Sequence, residues 1–355
     1  MLYINTSIIK EQTTKYMLIN LLKKFKSSNI WYNILKFFIK PIYDIVWLNF
    51  INFHGRILYF IWFMSDNKKV LFDNDKIFFS DQELDILSKK IFDDLSEEKI
   101  NKIVHYLKNN NEVSENLTNS EEKKFKEDIT SSIDVNLRKE VFKFCLSKKI
   151  ISIVSSYLGV MPILNNVSLY INIPKDSKDI RGSMNWHRDD FGYKSLDLFV
   201  PISDINEDNG PFYCVREKET LGRFINYSNE INNPARGNRG KIEEKYFKFD
   251  SEDRDKVLKL SGEKGKALFI DSFNSYHKGG HCLKNFRLML RITYSTVDTY
   301  LTNENYYDDV INDIKKYSKK DIFTNYILKK KSWFIKRFKL YKFLVLSYRF
   351  LSFKG

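Results

Sequence analysis

Apolar residues along the chain recur with one period before about residue 160 and with another after it. Leu84, Ile86, Leu87, Ile91, Phe92, Leu95, Ile100, Ile103, Val104 and Leu107 are spaced three and four apart. That spacing puts them on one helix face and predicts a helical stretch over 81–107. Ser80 or Asp81 supplies its N-cap. A second helical stretch runs from Val135 to Leu158 and ends at Gly159, where glycine suits a left-handed cap. Residues 108–128 are rich in Asn, Glu and Lys and read as an exposed loop, and 72–80 as a short strand or loop. Beyond 160 the period is two. Val167–Ile173, Leu196–Ile202, Phe212–Val215, Ala267–Ile270 and Phe286–Val297 read as strands. Asn209-Gly210 predicts a hairpin turn between two of them. Residues 226–245, with Arg236, Arg239 and Lys241, read as a basic surface loop.

Helices first and short strands afterwards define an α+β chain. Its core is expected to be an antiparallel jelly roll, a double-stranded β-helix or cupin-like barrel. Three segments follow: a basic aromatic helical segment at 1–70, a main domain at 71–300 with helices over 81–158 and the barrel over about 160–298, and a basic helical tail at 301–355.

Composition narrows the class. The 355 residues are 43% apolar and 29% charged, which excludes disorder along the whole chain. Cys145, Cys214 and Cys282 make neither a disulfide framework nor a Cys-x-x-Cys pair. A reducing, cytoplasmic setting is the expectation. The net charge of +14 sits at the ends: residues 1–65 hold eight Lys/Arg and two acids, and 326–355 hold nine Lys/Arg and no acid. The stretch between is near neutral. Both ends are thick with aromatics, such as Trp31, Trp47, Trp333 and Phe338. That mixture suits an anionic membrane surface, with rings and ammonium groups at headgroup depth. Packing of the ends onto the protein's own core explains it equally well. A spanning helix is not expected, because Arg56 interrupts the best window, Ile45–Ser65. No secretory signal and no nucleic-acid motif are read.

Two strings in the strand-rich half carry the candidate chemistry. One is Asn185-Trp186-His187-Arg188-Asp189-Asp190; the other runs from Asp271 through His277-Lys278-Gly279-Gly280-His281 to Arg287. In an extended segment, His187 and Asp189 point to the same side. A second histidine from a distant strand completes two imidazoles and one carboxylate with open positions, the donor set of non-haem Fe(II) oxygenases. Arg287, ten residues beyond His277, can grip a carboxylate with its fork. An oxygenase that draws electrons from 2-oxoglutarate needs such a clamp.

These strings resemble the phytanoyl-CoA dioxygenase-like family of Fe(II)/2-oxoglutarate oxygenases. The matching stretches are Trp186-His187-Arg188-Asp189, Leu198–Ile205, Asn209-Gly210-Pro211-Phe212, Gly265–Asp271, and His277-Lys278-Gly279-Gly280 with Arg287. The resemblance covers about 160–298 and leaves 1–65 and the tail unexplained. It implies iron bound by His187, Asp189 and His277, and the 5-carboxylate of 2-oxoglutarate bound by Arg287. O2 is then the oxidant, ascorbate an accessory reductant, and the partner a small-molecule substrate. A carboxylate at Asp189 implies hydroxylation rather than halogenation. The chain departs from the family at Val215–Thr220, where a Pro-Gly-Ser-His-like turn is usual; that leaves the substrate open.

Other readings of the same residues stand beside this one. His277-x3-His281 has zinc spacing, but Gly279-Gly280 argues against a helix there. Arg291 lies ten residues beyond His281, and spacing alone does not choose between the two His/Arg pairs; the Lys-Gly-Gly context favours His277. Asp190 is expected to face away. Trp186 and Tyr276 are expected to wall the pocket, and His54 and His105 to be surface residues. A binding module at a membrane surface that has lost activity is the alternative from another class.

Overall fold

The computed structural model describes residues 52–65, 77–117, 126–174, 182–184, 186, 187, 189, 195–215, 257–272, 275–297, 308–317 and 321–328. The chain forms two compact units, one of residues 54–345 and one of 1–53 with 346–355. All but residues 52 and 53 of the latter unit lie outside the described residues, as do the tail beyond 328, the 226–245 loop and the 216–220 turn.

The predicted helical stretches are each broken once. Residues 81–107 fall into α2 (Gln82–Leu95) and α3 (Glu97–Leu117), following a first helix α1 (Phe53–Ser65). Asp81 caps α2 by accepting the Glu83 N–H at 2.8 Å, and the break is at Ser96, whose φ is +45°. The 135–158 stretch becomes α4 (Val135–Cys145) and α5 (Lys148–Leu158), with Ser147 capping α5 and Gly159 ending it at φ +72°. The expected loop at 108–128 is corrected at both ends. Helix α3 continues to Leu117, since nothing between Lys108 and Leu117 is a Gly or Pro that would stop it. Lys126–Asp128 is a strand, β2, because its backbone pairs with β3 (Ile163–Asn172). Tertiary pairing there overrides the low strand propensity of Lys-Glu-Asp.

The strands make two antiparallel sheets. After β1 (Phe78–Phe79), β2 and β3 come β4 (Ser195–Pro201), β5 (Phe212–Val215), β6 (Val257–Leu260), β7 (Ala267–Ile270), β8 (His277–Gly279) and β9 (Arg287–Ser295). The larger sheet has the order β1-β7-β4-β9-β3-β2 and the smaller β6-β5-β8. Helices α6 (Asp308–Tyr317) and α7 (Ile322–Ile327) follow. The five strands read from the sequence are all present. Strands β2, β6 and β8 carry no period-two signal long enough to read. The hairpin expectation is corrected: β4 pairs with β7 and β9, whereas β5 pairs with β6 and β8. Asn209-Gly210 therefore turns the chain from one sheet to the other. Asn209 fixes the turn by accepting the Asn206 N–H and donating to the Asp204 carbonyl, at 2.7 and 2.6 Å.

The central strands are buried on both faces. Leu196, Leu198 and Val200 of β4, and Leu288, Leu290, Ile292 and Tyr294 of β9, lie on one face with Leu169 and Ile171 of β3. Helices cover this face; Tyr294 donates its hydroxyl to the Cys145 carbonyl of α4 at 2.8 Å. The opposite face carries Asp197, Phe199, Met289, Arg291 and Thr293, and Phe199 and Met289 pack with Phe212, Cys214 and Leu260 of the small sheet. The charged residues among them are the exceptions in otherwise apolar strands, and they mark where the site is. Among the described residues, no helix is long and apolar enough to cross a membrane.

Candidate metal centre

Backbone pairing brings the two histidines together. His187 donates its N–H to the His277 carbonyl at 3.0 Å, and His277 returns the bond at 2.9 Å. Directly opposed residues of an antiparallel pair project to the same side, and the two rings lie 4.3 Å apart. Asp189, two residues on, shares that side and is tied by its N–H to the Ser272 carbonyl at 2.8 Å. Its oxygens stand 3.4 Å from His187 Nε2 and 3.7 Å from His277 Nε2. One ligand atom from each of the three residues falls within 4.8 Å of the others. Neighbouring ligands on one ion, at bonds of about 2.1 Å, are about 3.0–3.4 Å apart, so small adjustments close the set on a metal.

The charges at this point are compatible with a bound cation. His277 is 3% exposed, and burial, then repulsion from His187, lowers its pKa to about 3. It is thus neutral at neutral pH, and its Nδ1 lies 3.1 Å from the Ser275 carbonyl. Placing the proton on that nitrogen turns the Nε2 lone pair toward Asp189. Asp189 is ionised: burial opposes this, but Arg291 and the two histidines hold its carboxyl well below the usual range. A lone pair and a carboxylate on one side of a cleft are the donors that a metal cation takes.

Two arginines on β9 face the same cleft, and the structure separates their roles. Arg291 forks Asp197 through Nε and Nη2, both at 3.0 Å, and Nη2 also reaches Asp189 at 2.5 Å. Asp197 is fully buried and also accepts the hydroxyls of Thr293 and Ser272. Arg291 is therefore consumed by carboxylates. Arg287 is not. It is 5% exposed, and its Nη1 donates to the Gly210 and Gly280 carbonyls. Its Nε is buried without a hydrogen-bond partner. That nitrogen lies on the edge of the guanidinium that can fork a carboxylate.

The cleft that these groups face is lined by His187, His277, Arg287, Arg291, Phe212 and Lys126 among others. Phe212 stacks on His277 at 5.7 Å. Lys126 reaches in from β2 with its ammonium 3.7 Å from the Tyr170 ring centroid. Burial, then Arg291, lowers its pKa to about 8.

The structure brings His187, Asp189 and His277 together and sets Arg287 in the same cleft. His281 is outside the trio, with Nδ1 3.4 Å from Met184 Sδ. Trp186 and Tyr276 pack with Val215 in a cluster behind the ligand pair, so the expectation that they wall the pocket is corrected. His54 and His105 are exposed, as expected. Arg188 and Asp190 lie outside the described residues. Sequence reasoning missed Asp197, Thr293 and Lys126. The first two were signalled by polar residues inside apolar strands; Lys126, in a polar stretch, gave no signal.

No family model matches the chain, and neither does any curated protein. Solved structures do resemble it. The non-haem α-ketoglutarate-dependent epimerase SnoN from nogalamycin biosynthesis aligns at 15% identity and a TM-score of 0.32, over 48% of this chain and 63% of that one. HygX from Streptomyces hygroscopicus, with nickel and 2-oxoglutarate bound, aligns at 13% identity and 0.31, over 54% and 77%. EctD from S. alaskensis aligns at 14% identity and 0.35, over 65% and 78%. This chain thus spans about three fifths of the length of SnoN.

Proposed function

We propose that the chain is an Fe(II)- and 2-oxoglutarate-dependent oxygenase with a double-stranded β-helix core. Its reaction would oxidise a C–H bond of a small or lipid-like metabolite. The observation that carries this reading is one cleft with two imidazoles, one ionised carboxylate and a buried arginine whose Nε has no hydrogen-bond partner. That donor set, three ligands on one side with the remainder open, fits Fe(II). The unpartnered Arg287 Nε fits a carboxylate, as the far end of 2-oxoglutarate would provide. Bound there, iron with 2-oxoglutarate and O2 supplies the oxidising power, with succinate and CO2 as co-products.

The protein's part is positioning. The His187–His277 backbone pair fixes the angle between the two rings. Ser275 holds the His277 ring in the tautomer that presents Nε2. Arg291 restrains Asp189 while Asp197 restrains Arg291. Phe212 and Phe199 shield the site from water, which strengthens each charge interaction inside it. The resemblance to phytanoyl-CoA dioxygenase-like enzymes over 160–298 supports the same reading.

The test is succinate formation from 2-oxoglutarate with Fe(II) and ascorbate, alongside Mn(II) binding. Both are expected in the wild type and lost in His187→Ala and His277→Ala. Mn(II) affinity unchanged in His187→Ala would overturn the reading.

A membrane-surface role for the basic ends has one supporting observation within the described residues. Helix α1 leaves Phe53, Ile57, Phe60, Ile61 and Met64 exposed on one side. Flotation with anionic vesicles but not neutral ones is expected if that face and the basic ends act together.

A further inference from the structure

Three residues stand in one row across neighbouring strands of the large sheet. Lys126 of β2 is paired with Asn172 of β3, and Asn172 with Arg287 of β9. Residues directly opposed across strands share a face, and all three line the cleft. Lys126 is not equivalent to Arg287. Its ammonium leans over Tyr170, which is paired with Met289, the next row toward Arg291. The charges that act most on it are those of Arg291 and Asp189, ahead of Arg287. So its positive end faces the metal side of the cleft and leaves the Arg287 fork to another ligand.

Asp189 and Asp128 attract it from a distance, but neither is in contact with it. Among the described residues no carboxylate forms an ion pair with Lys126, and its ammonium lies over the Tyr170 ring. Asp128, two residues on, turns its carboxylate onto Thr130 N–H and Oγ1, at 3.0 and 2.5 Å. A ring face stabilises an ammonium by about 0.5–2 kcal/mol, less than an ionised partner in a shielded site would.

A charge count then points to the substrate. Lys126, Arg287 and Arg291 bring three positive charges to the cleft, and Asp189 and Asp197 two negative ones. Fe(II) and 2-oxoglutarate cancel each other's formal charge. One positive charge is left, and it is the unpaired one, at Lys126.

We propose that Lys126 is the binding residue for a carboxylate on the oxidised substrate, which makes that substrate an organic acid rather than a neutral molecule. This rests on the oxygenase reading for its location beside the metal. The basis for a second anion site, an ammonium without an acid in a partly buried wall, is independent of what the metal does.

The experiment reads thermal stability of the full chain with Mn(II) and saturating 2-oxoglutarate, which blocks the Arg287 fork. Acetate and 3-phenylpropionate are titrated against 3-phenylpropionamide and phenyl phosphate at constant ionic strength. A carboxylate at ten times its Kd is expected to raise Tm by about 3 °C, the amide by nothing. Lys126→Met is expected to abolish that rise and Lys126→Arg to retain it. The rise caused by 2-oxoglutarate itself, on the same plate, is expected to survive in Lys126→Met. Equal effects of acid and amide, or an undiminished rise in Lys126→Met, overturn the proposal. A stronger effect of phenyl phosphate overturns the carboxylate assignment. Loss of the 2-oxoglutarate rise in wild type with the anion rise intact would instead refute the oxygenase reading and leave Lys126 an anion site.

Discussion

Replacing Asp197 by leucine removes a carboxylate that is fully buried on the cleft side of the large sheet. Arg291, 11% exposed at its side chain, would lose two of its charge-assisted bonds, those of Nε and Nη2 to Asp197. Thr293 and Ser272 would lose an acceptor as well. Breaking a buried pair by deleting one partner costs about 3–5 kcal/mol, because the other charge stays behind. Deleting both partners together removes that cost, and an apolar pair of similar size is near neutral. The expected results in urea unfolding are therefore a loss of about 3–5 kcal/mol in Asp197→Leu and about 1 kcal/mol or less in the double variant Asp197→Leu/Arg291→Met. Mn(II) affinity adds a second readout. In Asp197→Leu, Arg291 is released from Asp197 and leans more on Asp189, where it competes with the metal, so affinity falls. In the double variant that competition is gone and affinity recovers. Additive losses in stability, or a single variant that costs under about 1 kcal/mol, would show that Asp197 and Arg291 do not form the unit described.

Gly210→Ala is expected to cost about 1–3 kcal/mol, measured in urea. The residue has φ +73°, and a Cβ there would meet the Gly280 and His281 carbonyls at 2.5 Å. The same variant should weaken 2-oxoglutarate binding, because the Gly210 carbonyl accepts from Arg287. Tyr294→Phe removes one buried bond between β9 and α4 and should cost about 1 kcal/mol. Asp81→Ala should cost about 1 kcal/mol at pH 7. Burial opposes ionisation of Asp81, but Lys149 and the Glu83 N–H outweigh it and lower its pKa. Its contribution is therefore complete above the unfolded carboxyl pKa and disappears as pH falls through the lower folded value. The Tm gap between wild type and Asp81→Ala should close on acidification; a gap that widens would contradict the sign.

The sequence revealed the parts of this protein that rest on local pattern. Long apolar periods located α2, α4 and α5 and the five longer strand signals. The period-two rule put His187 and Asp189 on one side. What escaped was set by partners distant in the chain. Lys126–Asp128 is a strand because β3 offers it an edge, and no preference of its own announces that. Asn209-Gly210 has hairpin chemistry but joins strands of different sheets, which only their pairing decides. Spacing left Arg287 and Arg291 tied. The tie is broken by Asp197, 94 positions before Arg291 and visible in advance only as a charge inside an apolar run.

The mutual backbone bonds of His187 and His277 also set a time order. The two residues are 90 positions apart, and the second opens β8, after seven of the nine described strands and one short of the last. A nascent chain that has emerged only as far as β7 owns one imidazole and one acid, too few to hold an ion firmly. On the proposed reading, ion capture therefore waits until β8 has zipped against its distant partner. A polypeptide cut before β8 is then expected to bind Mn(II) no better than the His277→Ala variant.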